Sequence, residues 1–230
     1  MKIAILPARG GSKRVPRKNI KPFCGRPMIE WPLTVLRNSG IFDKILVSTD
    51  DDEVKSVALR AGADVPFRRP EYLSDDYTGT REVIEHAIGP DGVDADASDL
   101  IMCVYPTAPF VVEEDIRTAV RLFMDKGGSG YVFAATEYRF PVQRALRIDE
   151  MGRSRLIDSE MFAVRSQDLE KRFHDAGQFY LATASTWRSE RNFFDNSLPI
   201  VLPSWRVQDI DTLDDWERAE IMMKVINQTA

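Results

Sequence analysis

Lys2-Ile3-Ala4-Ile5-Leu6 runs without a break into Pro7-Ala8-Arg9-Gly10-Gly11-Ser12-Lys13-Arg14-Val15-Pro16-Arg17-Lys18. The apolar run reads as a strand, and what it empties into is a glycine-rich, cationic loop. Six of the thirteen residues from Arg9 to Lys21 are basic, in a chain whose formal net charge is -5. An acidic chain with one such island needs a local anionic partner there rather than a general nucleic-acid surface. Backbone N–H groups of Gly10 and Gly11 can approach phosphate oxygens without a Cβ in the way, while Lys and Arg add charge-assisted bonds. The plain alternative is a solvated basic loop. The segment is not a P-loop, because no Gly-Lys-Ser/Thr closes it, and the G-x-G-x-x-G dinucleotide fingerprint is absent.

Outward from this strand the chain alternates. A helix is expected over Met28–Asn38, a buried strand over Lys44–Thr49 and a helix over Asp51–Gly62, with Val54, Val57, Ala58 and Ala61 on one face. A short strand follows at Ala63–Val65, then a helix over Thr80–Ile88. Leu100–Val104 is almost wholly apolar, the mark of a strand covered on both faces. A helix over Glu113–Lys126, a strand over Tyr131–Ala135 and a last helix over Thr212–Asn227 complete the series. This order implies an α/β fold with a doubly wound, mostly parallel sheet in a single domain of 230 residues. Residues 137–177 fit the alternation poorly and read as an inserted arm, serving as a lid, a dimer contact or a surface excursion.

In such sheets ligands bind beyond the carboxyl ends of the strands. Pro7–Lys18, Ser48-Thr49-Asp50, Tyr105–Pro109 and Asp209-Ile210-Asp211 are therefore expected on one rim. Asp209 and Asp211, two apart in extended backbone, project together while Ile210 points to the core. Such a pair suits Mg²⁺, which takes one or two carboxylates and bridges to phosphates. The alternative is that Asp211 belongs to the start of the last helix, where Thr212-Leu213-Asp214-Asp215 has capping-box form. Asp75-Asp76-Tyr77-Thr78-Gly79-Thr80 reads as a cap and acidic first turn, or as a reader of nucleobase or ribose. Cys24 and Cys103 lack metal spacing and read as reduced thiols. No signal-peptide pattern and no apolar run of membrane-spanning length is seen, so the cytoplasm is the expected compartment.

Together these segments resemble the CMP-sialic acid synthetases, or acylneuraminate cytidylyltransferases. Ile5–Asn19 looks like the family's opening signature, and Val47-Ser48-Thr49-Asp50, Pro66–Glu71, Tyr105-Pro106-Thr107-Ala108-Pro109 and Asp209-Ile210-Asp211-Thr212 continue it in order. Within the family, Asp75–Thr80, Phe140–Leu146, Arg165–Glu170 and His174–Tyr180 are most similar to the pseudaminic acid cytidylyltransferases. Sialic acid synthetases usually have Gln-Pro-Thr-Ser-Pro at 105–109 and Arg-Pro-Asn-Gly at 174–177, so the resemblance favours a differently decorated nonulosonic acid. Leu181 stands where that subgroup would have Trp.

The resemblance implies a Rossmann-like nucleotidyltransferase fold with a dimerisation arm, CTP and a nonulosonic acid as substrates, Mg²⁺ as cofactor, and a homodimer. It implies that Ala8, Arg9, Gly10, Gly11, Ser12, Lys13 and Lys18 hold the triphosphate. Asn19, Arg69, Thr78, Gly79 and Thr80 would surround cytosine and ribose, and Asp209 and Asp211 would hold the metal. Tyr105, Thr107, Gln178 and Tyr180 would meet the sugar. Arg9, Lys18 and Asp211 are the implied catalytic residues.

Overall fold

The computed structural model describes residues 1–190 and 192–229. Strand β1 (Lys2–Pro7) lies inside the main sheet with Ile3, Ala4, Ile5 and Leu6 inaccessible to solvent. A two-residue hairpin, β2 (Pro22–Phe23) and β3 (Arg26–Pro27), leads into α1 (Glu30–Ser39), which Gly40 closes in the left-handed conformation. Next come β4 (Lys44–Ser48) and α2 (Asp52–Arg60). Asp51 caps α2 by accepting from the Glu53 and Val54 N–H groups, both at 2.9 Å. α3 (Thr80–Ile88), β5 (Leu100–Val104), α4 (Glu113–Asp125) and β6 (Val132–Glu137) follow as the periodicity predicts. After the small antiparallel pair β7 (Leu146–Ile148) and β8 (Ser154–Leu156) come β9 (Phe173–Thr183), α5 (Ala184–Ser189), β10 (Leu198–Leu202) and α6 (Leu213–Thr229). Among the described residues no helix is long and apolar enough to cross a membrane.

The main sheet has the order β10-β6-β9-β5-β1-β4. β1 runs parallel to both β4 and β5, and β10 parallel to β6. β9 alone is antiparallel to its neighbours, wedged between β5 and β6. One apolar layer (Leu6, Leu33, Val47, Ile116, Phe179) packs on one face and a second (Ile84, Ile101, Trp187, Tyr180) on the other, so both faces are covered.

Three expectations change. The strand at 63–65 is a single bridge from Asp64 to Leu46. The arm expected over 137–177 gives up both ends, because Glu137 closes β6 and residues 173–177 enter the sheet, Phe173 pairing with Glu137 and Asp175 with Ala135. Only 138–172 lies outside the main sheet. β9 itself escapes a periodicity reading, because Asp175, Gly177 and Gln178 interrupt its apolar half and its register with β6 shifts between Phe133 and Ala135.

The crossing from β10 back to the rim is fastened by one buried ion pair. Arg206 makes two bonds to Asp115, at 2.7 and 3.0 Å, and Asp115 also accepts from the Val112 N–H at the head of α4. Asp115→Ala strands this guanidinium, so unfolding in urea should show a loss of about 3 kcal/mol. A loss below about 1 kcal/mol, the worth of an exposed pair, would show that the fastening is dispensable.

Candidate active site

A cleft of about 570 Å³ opens at the carboxyl ends of β1 and β5. Arg9, Ser12, Lys13, Arg14, Lys18, Asn19, Arg69, Thr78, Gly79, Thr80, Tyr105, Thr107, Asp209 and Asp211 all line it. Leu73, Val83, Pro7 and Pro106 supply apolar wall. Residues about 200 positions apart in the sequence thus share one concavity, because the loops leaving β1 and β5 and the segment that returns from β10 meet at one rim.

The loop after β1 is held from behind by the end of β4. The Ala8 N–H continues the ladder to the Ser48 carbonyl at 2.9 Å, and the Gly10 N–H donates to Asp50 Oδ1 at 3.0 Å. A Cβ on Gly10 would lie 2.6 Å from Asp51 Oδ2, so only glycine fits. These bonds bear on the expected roles of Ala8, Gly10 and Gly11. Ala8 is buried, the Gly10 N–H is spent within the protein, and neither of them nor Gly11 lines the cleft. The basic groups that line the cleft are all side chains of Arg9, Lys13, Arg14, Lys18 and Arg69.

Those side chains grip internal anions. Arg9 pairs with Asp76 at 2.8 Å and donates to the Asp75 carbonyl, and Lys13 meets the other Asp76 oxygen at 2.5 Å. Arg14 holds Asp211 at 2.9 Å, while Lys18 donates to the Ile210 carbonyl at 2.7 Å and lies 3.4 Å from Asp211. Asp75 turns the segment by accepting from the Tyr77 and Thr78 N–H groups, which presents Thr78, Gly79 and Thr80 at the head of α3. Asp75 and Asp76 read locally as a helix cap, and nothing in their spacing signals partners as far back as Arg9 and Lys13.

Asp209 and Asp211 flank the fully buried Ile210, as their alternation predicts. The helix-start alternative holds for the Asp211 backbone, whose N–H donates to Asp215 at 3.2 Å, but not for its carboxylate, which turns to Arg14 and Lys18. Asp215 accepts from the Thr212 N–H at 2.9 Å, and Thr212 Oγ1 accepts from the Asp215 N–H at 3.2 Å. Partial loss of hydration in the cleft, and then the neighbouring Asp211 charge, push the Asp209 carboxyl above its ordinary range. A hard cation would offset the repulsion between the two carboxylates, and such a pair beside a cluster of bases fits Mg²⁺. No cluster of three metal-ligating side chains occurs among the described residues, so a cation here would draw its remaining ligands from substrate and water.

Arg69 is 4% exposed, donates to the Ser48 carbonyl at 3.0 Å, and leaves its Nε without a partner. Burial pushes its pKa down to about 10, so it stays charged at neutral pH. Asn19 is also buried and donates to the Arg9 carbonyl at 2.9 Å. Tyr105 lines the cleft with its hydroxyl 2.8 Å from Thr80 Oγ1, and burial raises its pKa to about 12. Of the four residues expected at the sugar, Tyr105 and Thr107 reach the cavity and two do not. Gln178 lies in the bulged part of β9 and donates to the Arg206 carbonyl at 2.8 Å, and Tyr180 stands behind Tyr105 with its hydroxyl given to Asp175.

A family model described as "Cytidylyltransferase" matches residues 3–197. The chain is 42% identical over 229 residues to a "Pseudaminic acid cytidylyltransferase" of Campylobacter jejuni, covering 99% of this chain and 98% of that protein. It is 32% identical over 237 residues to a "CMP-N,N'-diacetyllegionaminic acid synthase" of Legionella pneumophila, with 99% and 98% covered. Among solved structures, a CMP:2-keto-3-deoxy-manno-octonic acid synthetase complexed with CTP superposes with a TM-score of 0.70. That match covers 97% of this chain and 98% of the other at 14% identity, a likeness of fold.

If Asp76 occupies a seat for ligand phosphate, Asp76→Ala should tighten binding of inorganic pyrophosphate by about two- to fivefold, the worth of an exposed ion pair. Titration calorimetry reads this directly. Unchanged or weaker binding would show that Asp76 does not compete for the seat.

Proposed function

The chain belongs to the cytidylyltransferase family, and from that footing we propose that it transfers CMP from CTP to the anomeric hydroxyl of pseudaminic acid, releasing pyrophosphate. The observation that carries the reading is the 42% identity over nearly the whole chain to an enzyme of that name. The cleft supports it, since its phosphate-directed bases and its two carboxylates occupy one wall.

In this reading Arg9, Ser12, Lys13 and Lys18 take the triphosphate, exchanging Asp76 and Asp211 for ligand oxygens. The anomeric oxygen attacks the α-phosphorus, the bond from that phosphorus to the bridging β-oxygen breaks, and pyrophosphate leaves. Arg9 and Lys18 bear the charge that develops on it. The anomeric proton goes to a carboxylate of the same wall, Asp211. Such a transfer needs alignment and charge neutralisation more than covalent help. Mg²⁺, held by Asp209 and Asp211, would supply further neutralisation of the phosphates when bound.

The buried Arg69 with an unspent Nε offers a donor for a carbonyl oxygen of cytosine, and Asn19 and Thr78–Thr80 border the same end. Tyr105 and Thr107 face the sugar, with Gln178 and Tyr180 supporting that wall from within. Both cysteines are free thiols, as suits a cytoplasmic enzyme.

The arm supports a homodimer. Phe140, Leu146, Ile148, Ile157 and Phe162 are all exposed on a segment too thin to cover them, and a second copy would do so.

Incubation with CTP, Mg²⁺ and one sugar acid at a time should release pyrophosphate with pseudaminic acid at least about tenfold faster than with N-acetylneuraminic, legionaminic or Kdo acids. Preference for another acid would overturn the substrate, and silence with all four would overturn the activity. Asp209→Ala and Asp211→Ala should each lower kcat by about 10²–10³ and raise the Mg²⁺ concentration required; unchanged Mg²⁺ dependence would remove the metal assignment. In sedimentation the chain should run as a dimer, and the double variant Phe140→Asp, Ile148→Asp as a monomer. A monomeric wild-type chain would refute the arm's role.

A further inference from the structure

Arg17 and Lys21 are the two members of the basic island that do not line the cleft; Lys21 lies over the Trp216 ring, and Arg17 turns to the head of α2. Its guanidinium makes a two-point contact with Asp51, at 2.6 and 3.0 Å, and reaches Glu53 as well. Its backbone has φ +58, a left-handed conformation that non-glycine residues adopt rarely and that must be held in place.

What that conformation does is visible in the bonds around it. The Arg17 carbonyl accepts from the N–H groups of Ile20 at 3.0 Å and Lys21 at 2.9 Å, and the Lys18 N–H donates to Val15 at 3.2 Å. Residues 15–21 therefore form a closed turn, anchored by the buried Val15 and Asn19. Lys18 leaves this turn toward Ile210 and Asp211, whereas Asn19 reaches back to the Arg9 carbonyl.

Asp51 is the other half. It is fixed at the head of α2 by two N–H donors, and it is packed against Gly10 so closely that no side chain fits there. One carboxylate thus touches the loop at both ends, at Gly10 and through Arg17. Arg17, as the strongest influence, helps hold that carboxyl at about 2, so the pair is charged throughout the neutral range.

We propose that Arg17 and Asp51 are positioning residues: clamped to each other outside the cleft, they hold the loop so that Arg9 and Lys18 are already aimed at the reacting phosphates. Neither touches substrate. The inference rests on the function proposed above for what those phosphates are, but the clamp itself concerns only the loop. A loosened loop still collects a polyanion, because the charges remain, but it loses the alignment that counts in the transition state.

The test uses Arg17→Ala, Arg17→Gly, Arg17→Lys and Asp51→Asn in the full chain. Arg17→Ala should lower kcat about 10- to 100-fold while the KM for CTP stays within about threefold. Arg17→Lys should recover part of the loss. Arg17→Gly should exceed Arg17→Ala, because glycine takes a positive φ without strain. Combining Arg17→Ala with Asp51→Asn should cost no more than the worse single change, since both break one clamp. Hydrogen exchange across residues 9–19, with no substrate present, should quicken about fivefold or more in Arg17→Ala. That reading stands whatever the enzyme's substrates prove to be, so a failed activity assay of the wild type and a failed clamp are told apart. A kcat within twofold of wild type, a rise in KM alone, additive losses in the double variant, or unchanged exchange would each overturn the proposal.

Discussion

Charge balance at the end of β1 is the constraint that the rest of the site answers to. Four bases of the loop face one cleft, and the protein neutralises them with carboxylates from two other places, Asp76 before α3 and Asp211 before α6. Binding of an anionic ligand is then an exchange of partners rather than an addition of charge. The exchange has a sign. In the function proposed above, phosphates that take Lys18 would loosen its hold on Asp211, and a carboxylate so freed beside Asp209 would be a better seat for a cation. Anion and cation should each favour the other's binding, because each frees what the other needs.

The scaffold makes such an exchange possible by fixing the backbone and leaving the side chains exposed. β1 is inaccessible to solvent over Ile3–Leu6 and paired on both sides, so its exit point cannot drift. Lys13 and Arg14, by contrast, are largely exposed, and their ion pairs are of the weak surface kind. Buried Arg69 is the opposite case, a cation held by the Ser48 carbonyl, with Asp50 near enough to favour its charge but forming no ion pair with it among the described residues. Its buried Nε has no partner and little freedom in where to point.

Much of this was legible in the sequence where the signal was local. Thr80–Ile88 and Leu100–Val104 are bounded as their apolar spacing predicts, and the alternation in Asp209-Ile210-Asp211 puts the isoleucine in the core and both carboxylates in the cleft. What escaped depends on distant partners. Nothing near Gly10 says that Asp50 will take its N–H, and nothing near Gln178 says that its amide will turn inward to Arg206. β9 was hidden for a related reason. Its polar and glycine residues at 174–178 look like a loop, and only pairing with β5 and β6 makes them part of a strand.

That strand has a consequence for how the chain is made. β9 is central in the sheet but late in the sequence, so as the polypeptide emerges from the ribosome β5 and β6 cannot complete the sheet between them. From the end of β5 at Val104 to the end of β9 at Thr183, synthesis takes about 4–16 s at 5–20 residues per second. For that interval one edge of Leu100–Val104, wholly apolar and destined for full burial, stands open to any other strand that meets it. Until β9 arrives, that edge is the part of the sheet most in need of cover.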